Sequence, residues 1–100
     1  MRSEPNKPDA VIRVRFRRTD EGGKGHAPSG KFYACIFVLG SDGFDGRLLL
    51  NGRTLELGVE HEVGVKFLSP DLVLPRLSPG TKIALREGRE IAEGTVLRLA

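Results

Sequence analysis

Arg13, Arg15 and Arg17 occupy alternate positions near the start of the chain, and Arg18 follows directly. Alternate side chains of an extended strand share one face, so this spacing predicts a linear positive patch. A row of guanidinium groups suits the phosphates of a nucleic acid strand or a carboxylate-rich protein surface. It equally suits a solvated sheet face whose partner glutamates lie on neighbouring strands, an arrangement common in sheets.

The other residues able to do chemistry are scattered. Gly22-Gly23-Lys24-Gly25 is glycine-rich, but no Ser or Thr follows the lysine and no strand-to-helix context surrounds it. It reads as a loop, and no GTP chemistry is expected of it. Cys35 lies between apolar neighbours, which predicts a buried, inert thiol. His26 and His61 are distant in sequence and no second cysteine joins them, so each reads as structural or solvated and not as a metal ligand. Glu60 with Glu62, and Glu87 with Glu90, fall at turn or surface positions, where no desolvated acid pair forms. These residues together describe a non-catalytic protein without cofactor or metal.

The elements that carry them are short. From Ala10 to Arg18, Ile12, Val14 and Phe16 point inward and the arginines outward. Thr19 to Gly30 is a long loop. Lys31 to Leu39 is apolar on both parities: Phe32, Ala34, Ile36 and Val38 on one, Tyr33, Cys35, Phe37 and Leu39 on the other. Such a strand is covered on both faces, the second time by the preceding loop, by the N-terminal segment or by a partner protein. A docking face beside Tyr33 and Phe37 is the expected form of the last. Ser41 to Gly46 reads as a turn, and Asn51-Gly52 as a hairpin turn between strands at 48–50 and 53–57. His61 to Leu68 alternates again, with Val63, Val65 and Phe67 inward. Pro70, Pro75 and Pro79 make the next stretch irregular or an edge strand. Thr81 to Ala100 closes the chain as two strands: Ile83 and Leu85 share one parity and Leu97 and Leu99 another, the period-2 pattern of half-buried strands. Arg86, Glu87, Arg89 and Glu90 crowd the turn between them, where Gly88 and Gly94 let the backbone bend. A turn so charged sits in water or against a charged partner.

No amphipathic helix and no internal repeat is legible. Six or seven short antiparallel strands predict an all-β fold, a closed barrel that leaves no exposed sheet edge. Thirteen glycines and six prolines between short apolar runs agree with that class. One domain is expected over residues 10–100, with a flexible polar lead-in over 1–9. A single cysteine excludes an internal disulfide and suggests a reducing, cytoplasmic setting. No apolar run approaches the roughly 18–20 residues of a membrane span. A net charge of +3 suits an anionic partner without defining one.

The closing segment also resembles a known family. Arg86, Glu87, Gly88, Arg89, Ile91, Gly94 and Val96 match, with one glycine deleted, the run R-E-G-G-R-T-V-G-A-G-V-V that ends the C-terminal barrel of bacterial elongation factor Tu. Asp20 to Pro28, DEGGKGHAP, is similar to that family's D-E-G-G-R-H-T-P, and residues 46–70 are similar to its central hairpin and the strand after it. The resemblance runs from Val11 onward and implies a six-stranded antiparallel barrel. It also implies contact with the tRNA backbone through Glu87 and Gly88 in the closing turn, beside Arg89, and through Lys24 and His26 in the loop. Docking on a protein partner is the other role it implies. The family's glutamine-bearing G-Y-R-P-Q run is here Gly30 to Ala34, and Asp45 stands in place of a threonine.

Overall fold

Alternation becomes a wall in β1 (Ala10–Phe16), where Ala10, Ile12, Val14 and Phe16 are fully buried and Arg13 is exposed. In this computed structural model, which describes residues 7–100, five further strands complete the wall: β2 (Phe32–Leu39), β3 (Asp42–Leu49), β4 (Glu60–Phe67), β5 (Lys82–Glu87) and β6 (Arg89–Leu99). They close in the order β1-β4-β3-β2-β5-β6, every pairing antiparallel. The fold class is the expected one.

The core fills the barrel from all six strands. Cys35, Phe37 and Leu39 of β2, Val63, Val65 and Phe67 of β4, and Ile83 and Leu85 of β5 all point in. Phe37 and Phe67 meet edge to face with centroids 5.3 Å apart. Their rings leave room for nothing at Gly46, where a Cβ would lie 2.8 Å from the Phe37 ring. Gly46 is therefore a packing glycine inside β3 and not the end of a turn. The turn itself is shorter than the sequence suggests, at Gly40-Ser41 before β3 begins at Asp42.

Other local expectations are corrected. Asn51 and Gly52 form a turn with positive φ values of 53° and 89°, which suits Asn-Gly. The chain does not return as a strand, however. Gly52 N–H donates to Gly30 O and Leu55 N–H to Pro28 O, each at 2.9 Å, so 53–57 folds under the long loop with Leu55 buried. The proline-rich stretch forms one helical turn, α1 (Pro70–Val73), then a 3₁₀ turn at Leu74–Arg76. Proline at the first helical position lacks only an N–H that would be unpaired anyway. Val73 and Leu77 of this stretch are buried in the core.

In β6 two irregularities break the period-2 pattern. One lies opposite Val11/Ile12 and one opposite Leu85/Arg86. Ile91 and Ala92 are both buried as a result, Val96 points in, and Leu99 is exposed. Leu97 is the extra residue at the first irregularity and is half-buried, while Leu99 stands opposite buried Ala10 but is exposed at the end of the strand, so the simple alternation through Leu97 and Leu99 does not hold. Gly94 makes no turn: a Cβ there would stand 2.7 Å from Arg13 O, so β6 needs glycine to lie close to β1.

The first six residues of the expected lead-in lie outside the described residues. From Lys7 the chain is already held. Asp9 N–H donates to Val65 O at 2.8 Å, its carboxylate accepts Phe67 N–H at 2.9 Å, and Lys66 Nζ bonds Lys7 O. No helix among the described residues is long and apolar enough to cross a membrane.

Candidate binding surfaces

The barrel gathers the charged segments at one end, where β1, β3 and β5 finish and β2, β4 and β6 begin. The arginine row ends there, but it does not stand alone. Arg13 faces Glu62 on β4 and Thr95 on β6, and Arg15 faces Glu60 and Glu93. Arg15 donates to both Glu21 oxygens at 3.1 and 3.2 Å and to Gly58 O at 3.2 Å. Arg17 pairs with Glu90, and Arg18 with Asp20 at 3.1 Å. The backbone N–H of Arg18, then the Arg15 guanidinium, hold the Glu21 carboxyl below its ordinary range. The row is a mixed-charge face. Glutamates on the neighbouring strands, one of the two arrangements open to it, are what the register supplies.

The loop and the closing turn come together. Gly23 is buried against the end of β1, with its N–H on Arg18 O at 3.0 Å. Arg89 donates to Gly23 O at 2.9 Å across the junction. The next residue, Lys24, sets its ammonium 4.4 Å from the centroid of the Tyr33 ring and 3.8 Å from the Glu87 carboxylate. Tyr33 donates its hydroxyl to Glu87, and its ring edge meets Phe16 at 5.8 Å. Burial, then the bond to Glu87, push the Tyr33 phenol well above its ordinary value. Gly88 turns at φ 76°, a conformation only glycine adopts cheaply. A shallow groove lined by Lys24, Glu87, Gly88, Arg89 and Ile91 results.

Of the residues singled out in the sequence, Lys24, Glu87, Gly88 and Arg89 thus form one surface. Arg13 and Arg15 lie on β1, and Arg17 just beyond its end, beside carboxylates. His26 is exposed and makes no side-chain hydrogen bond among the described residues. His61 Nε2 lies 3.2 Å from Glu56 O. The docking face at Tyr33 and Phe37 is corrected: Phe37 is wholly buried in the core, and Tyr33 is covered by Lys24, Glu87 and Phe16. The Tyr33–Glu87 bond joins strands whose pairing sequence periodicity does not encode, so no signal in the chain announced it.

Cys35 is buried inside the barrel mouth, and burial, with a smaller part from Glu87, pushes its thiol from 9.0 up to about 12. The unfolded chain therefore loses this proton first. Between about pH 9 and 12 the unfolded state binds fewer protons than the folded one, so stability falls as pH rises. Urea midpoints are expected to hold steady from pH 7 to 8.5 and to decline above 9, with a shallower decline in Cys35→Ala. Identical slopes in the two proteins would show that the thiol is not desolvated.

No protein-family model matches the chain, and no curated protein matches its sequence.

Proposed function

We propose that the chain is a non-catalytic binding module, a barrel of the elongation factor Tu C-terminal type that meets the backbone of tRNA or another RNA at its charged rim. The observation that carries this reading is the junction of two segments distant in sequence, the Lys24 loop and the Glu87–Arg89 turn, in one solvent-facing groove. Those are also the two segments with the closest resemblance to that family. Arg86 is exposed beside the turn, and no carboxylate among the described residues lies within ion-pair distance of it or of Arg89.

The mechanism is charge exchange without sequence reading. An exposed ion pair such as Lys24–Glu87 is worth only about 0–1 kcal/mol, so a phosphate can replace Glu87 as the partner of Lys24. Arg86 and Arg89 add further positive charge, and Glu87 keeps its bond from Tyr33. Contacts of this kind position a backbone and ignore the bases. The carboxylates around Arg13, Arg15 and Arg17 make β1 the weaker candidate.

The affinity for tRNA is expected to fall log-linearly with salt. Lys24→Ala and Arg89→Ala should each reduce the slope by about 0.7–0.9, one phosphate contact apiece. Arg13→Ala should leave it unchanged. Absence of binding at low salt, or a slope insensitive to Lys24 and Arg89, would end the reading.

A further inference from the structure

We infer that the outer wall of β2 is a docking surface for an acidic amphipathic helix of a partner protein. With Tyr33, Cys35, Phe37 and Leu39 on the inward parity, Phe32, Ala34, Ile36 and Val38 are left on the outside of the barrel. Ala34 is exposed and the other three are half-buried. Register adds Ala84 of β5 opposite Val38, and Ile36 lies across Gly43, where a Cβ would be 2.8 Å from it. The result is an apolar stripe of about 20 Å along one strand, at roughly 3.3 Å per residue.

Its borders are mostly positive. On β5, Lys82 and Arg86 share the outward parity with Ala84, and Arg86 stands directly opposite Ile36. On β3, Arg47 stands opposite Ala34 and lies over the Phe32 ring at 4.6 Å. Arg47 also stands opposite Lys66 of β4, a like-charge pair that a sheet does not favour. Lys66 has Asp9 at 3.8 Å; Lys82, Arg86 and Arg47 have no carboxylate within ion-pair distance among the described residues. The one cross-strand acid near Arg86, Glu90, is engaged by Arg17. Two carboxylates touch this face among the described residues, Asp45 opposite Ile36 and Glu93 of β6 opposite Ala84, against the three cations Arg47, Lys82 and Arg86.

An apolar stripe bordered by Arg47, Lys82 and Arg86, none of them ion-paired among the described residues, is complementary to apolar side chains flanked by carboxylates. Nucleic acid fits less well, because bases stack on aromatic faces and the one ring of this stripe, Phe32, already has Arg47 over it. Addition of a strand is excluded where β2 already pairs with β3 and β5. What remains is side-chain packing against a helix laid along the strand, with three to four turns matching the stripe.

The test uses the whole chain and a synthetic helical peptide bearing a leucine stripe flanked by glutamates. A second peptide carries lysines in place of the glutamates. Titration of the ¹⁵N-labelled protein should move the amides of Ala34, Ile36, Val38, Ala84 and Arg86 with the acidic peptide, which should bind at least about tenfold tighter than the basic one, about 1.4 kcal/mol. Ala34→Asp, at an exposed position that keeps the fold, and Arg86→Glu should each weaken binding about tenfold, whereas Lys24→Ala should not. No binding, equal affinity for both peptides, shifts confined to the Lys24–Arg89 rim, or an RNA oligonucleotide that shifts the β2 wall instead would each overturn the proposal.

Discussion

Phe37→Ala is expected to lower folding stability by about 3–5 kcal/mol, the range for removing a fully buried aromatic ring. A domain of this size has only about 5–15 kcal/mol in total, so the variant will sit near or past the edge of folding. The reason is local. Phe37 has no exposed surface, meets Phe67 edge to face and occupies the space that Gly46 leaves open. Phe67 and Leu85 cannot collapse into the void without pulling β4 and β5 off their hydrogen-bonded neighbours. Phe32→Ala, five residues earlier on the outward parity and half-buried with Arg47 over its ring, should cost far less. Urea denaturation of the two variants checks the parity assignment of β2. A loss for Phe37→Ala no larger than that for Phe32→Ala would mean the strand faces the other way.

That parity marks the limit of what the sequence reveals. In β1 and β4 one parity is polar, so the inward set of Ile12, Val14 and Phe16, or of Val63, Val65 and Phe67, is legible from alternation alone. In β2 both parities are apolar. Alternation says that two faces are covered, but not which one is core, and Phe37 turns out to be core where a docking ring was expected. In β6 the pattern misleads, because bulges at its two ends shift the parity between Ile91 and Leu99. Glycine misleads in another way. Gly43, Gly46 and Gly94 look like turn residues, yet all three lie within strands, where a Cβ would strike a neighbouring side chain or the backbone of β1. The long loop and the charged turn are each visible as segments. Their meeting depends on the closure of β6 against β1, a long-range fact that no local spacing carries.

Gly23 is where that meeting is fixed, and Gly23→Ala is expected to undo it. A Cβ at residue 23 would lie 2.1 Å from Arg17 O, 2.8 Å from Arg17 C and 2.9 Å from Arg18 O. All three are backbone atoms, and Arg17 cannot retreat because its N–H is bound to Ile91 O at 2.9 Å. The loop must lift instead, at a cost of about 1–3 kcal/mol for overpacking a tight site. Lifting breaks the Gly23 N–H bond to Arg18 O and the Arg89 bond to Gly23 O, and it carries Lys24 off the Tyr33 ring. Water then reaches the only tyrosine of the chain, so its ionisation, followed by ultraviolet absorbance, should move to lower pH than in the parent protein. The RNA affinity should fall at least as far as in Lys24→Ala, because the same contact is lost together with the placement of Arg89. Ser29→Ala, at an exposed position of the same loop, should leave both readings unchanged. An unaltered tyrosine titration in a folded Gly23→Ala variant would show that the loop is not seated on the end of β1, and the rim would lose its claim to be a single surface.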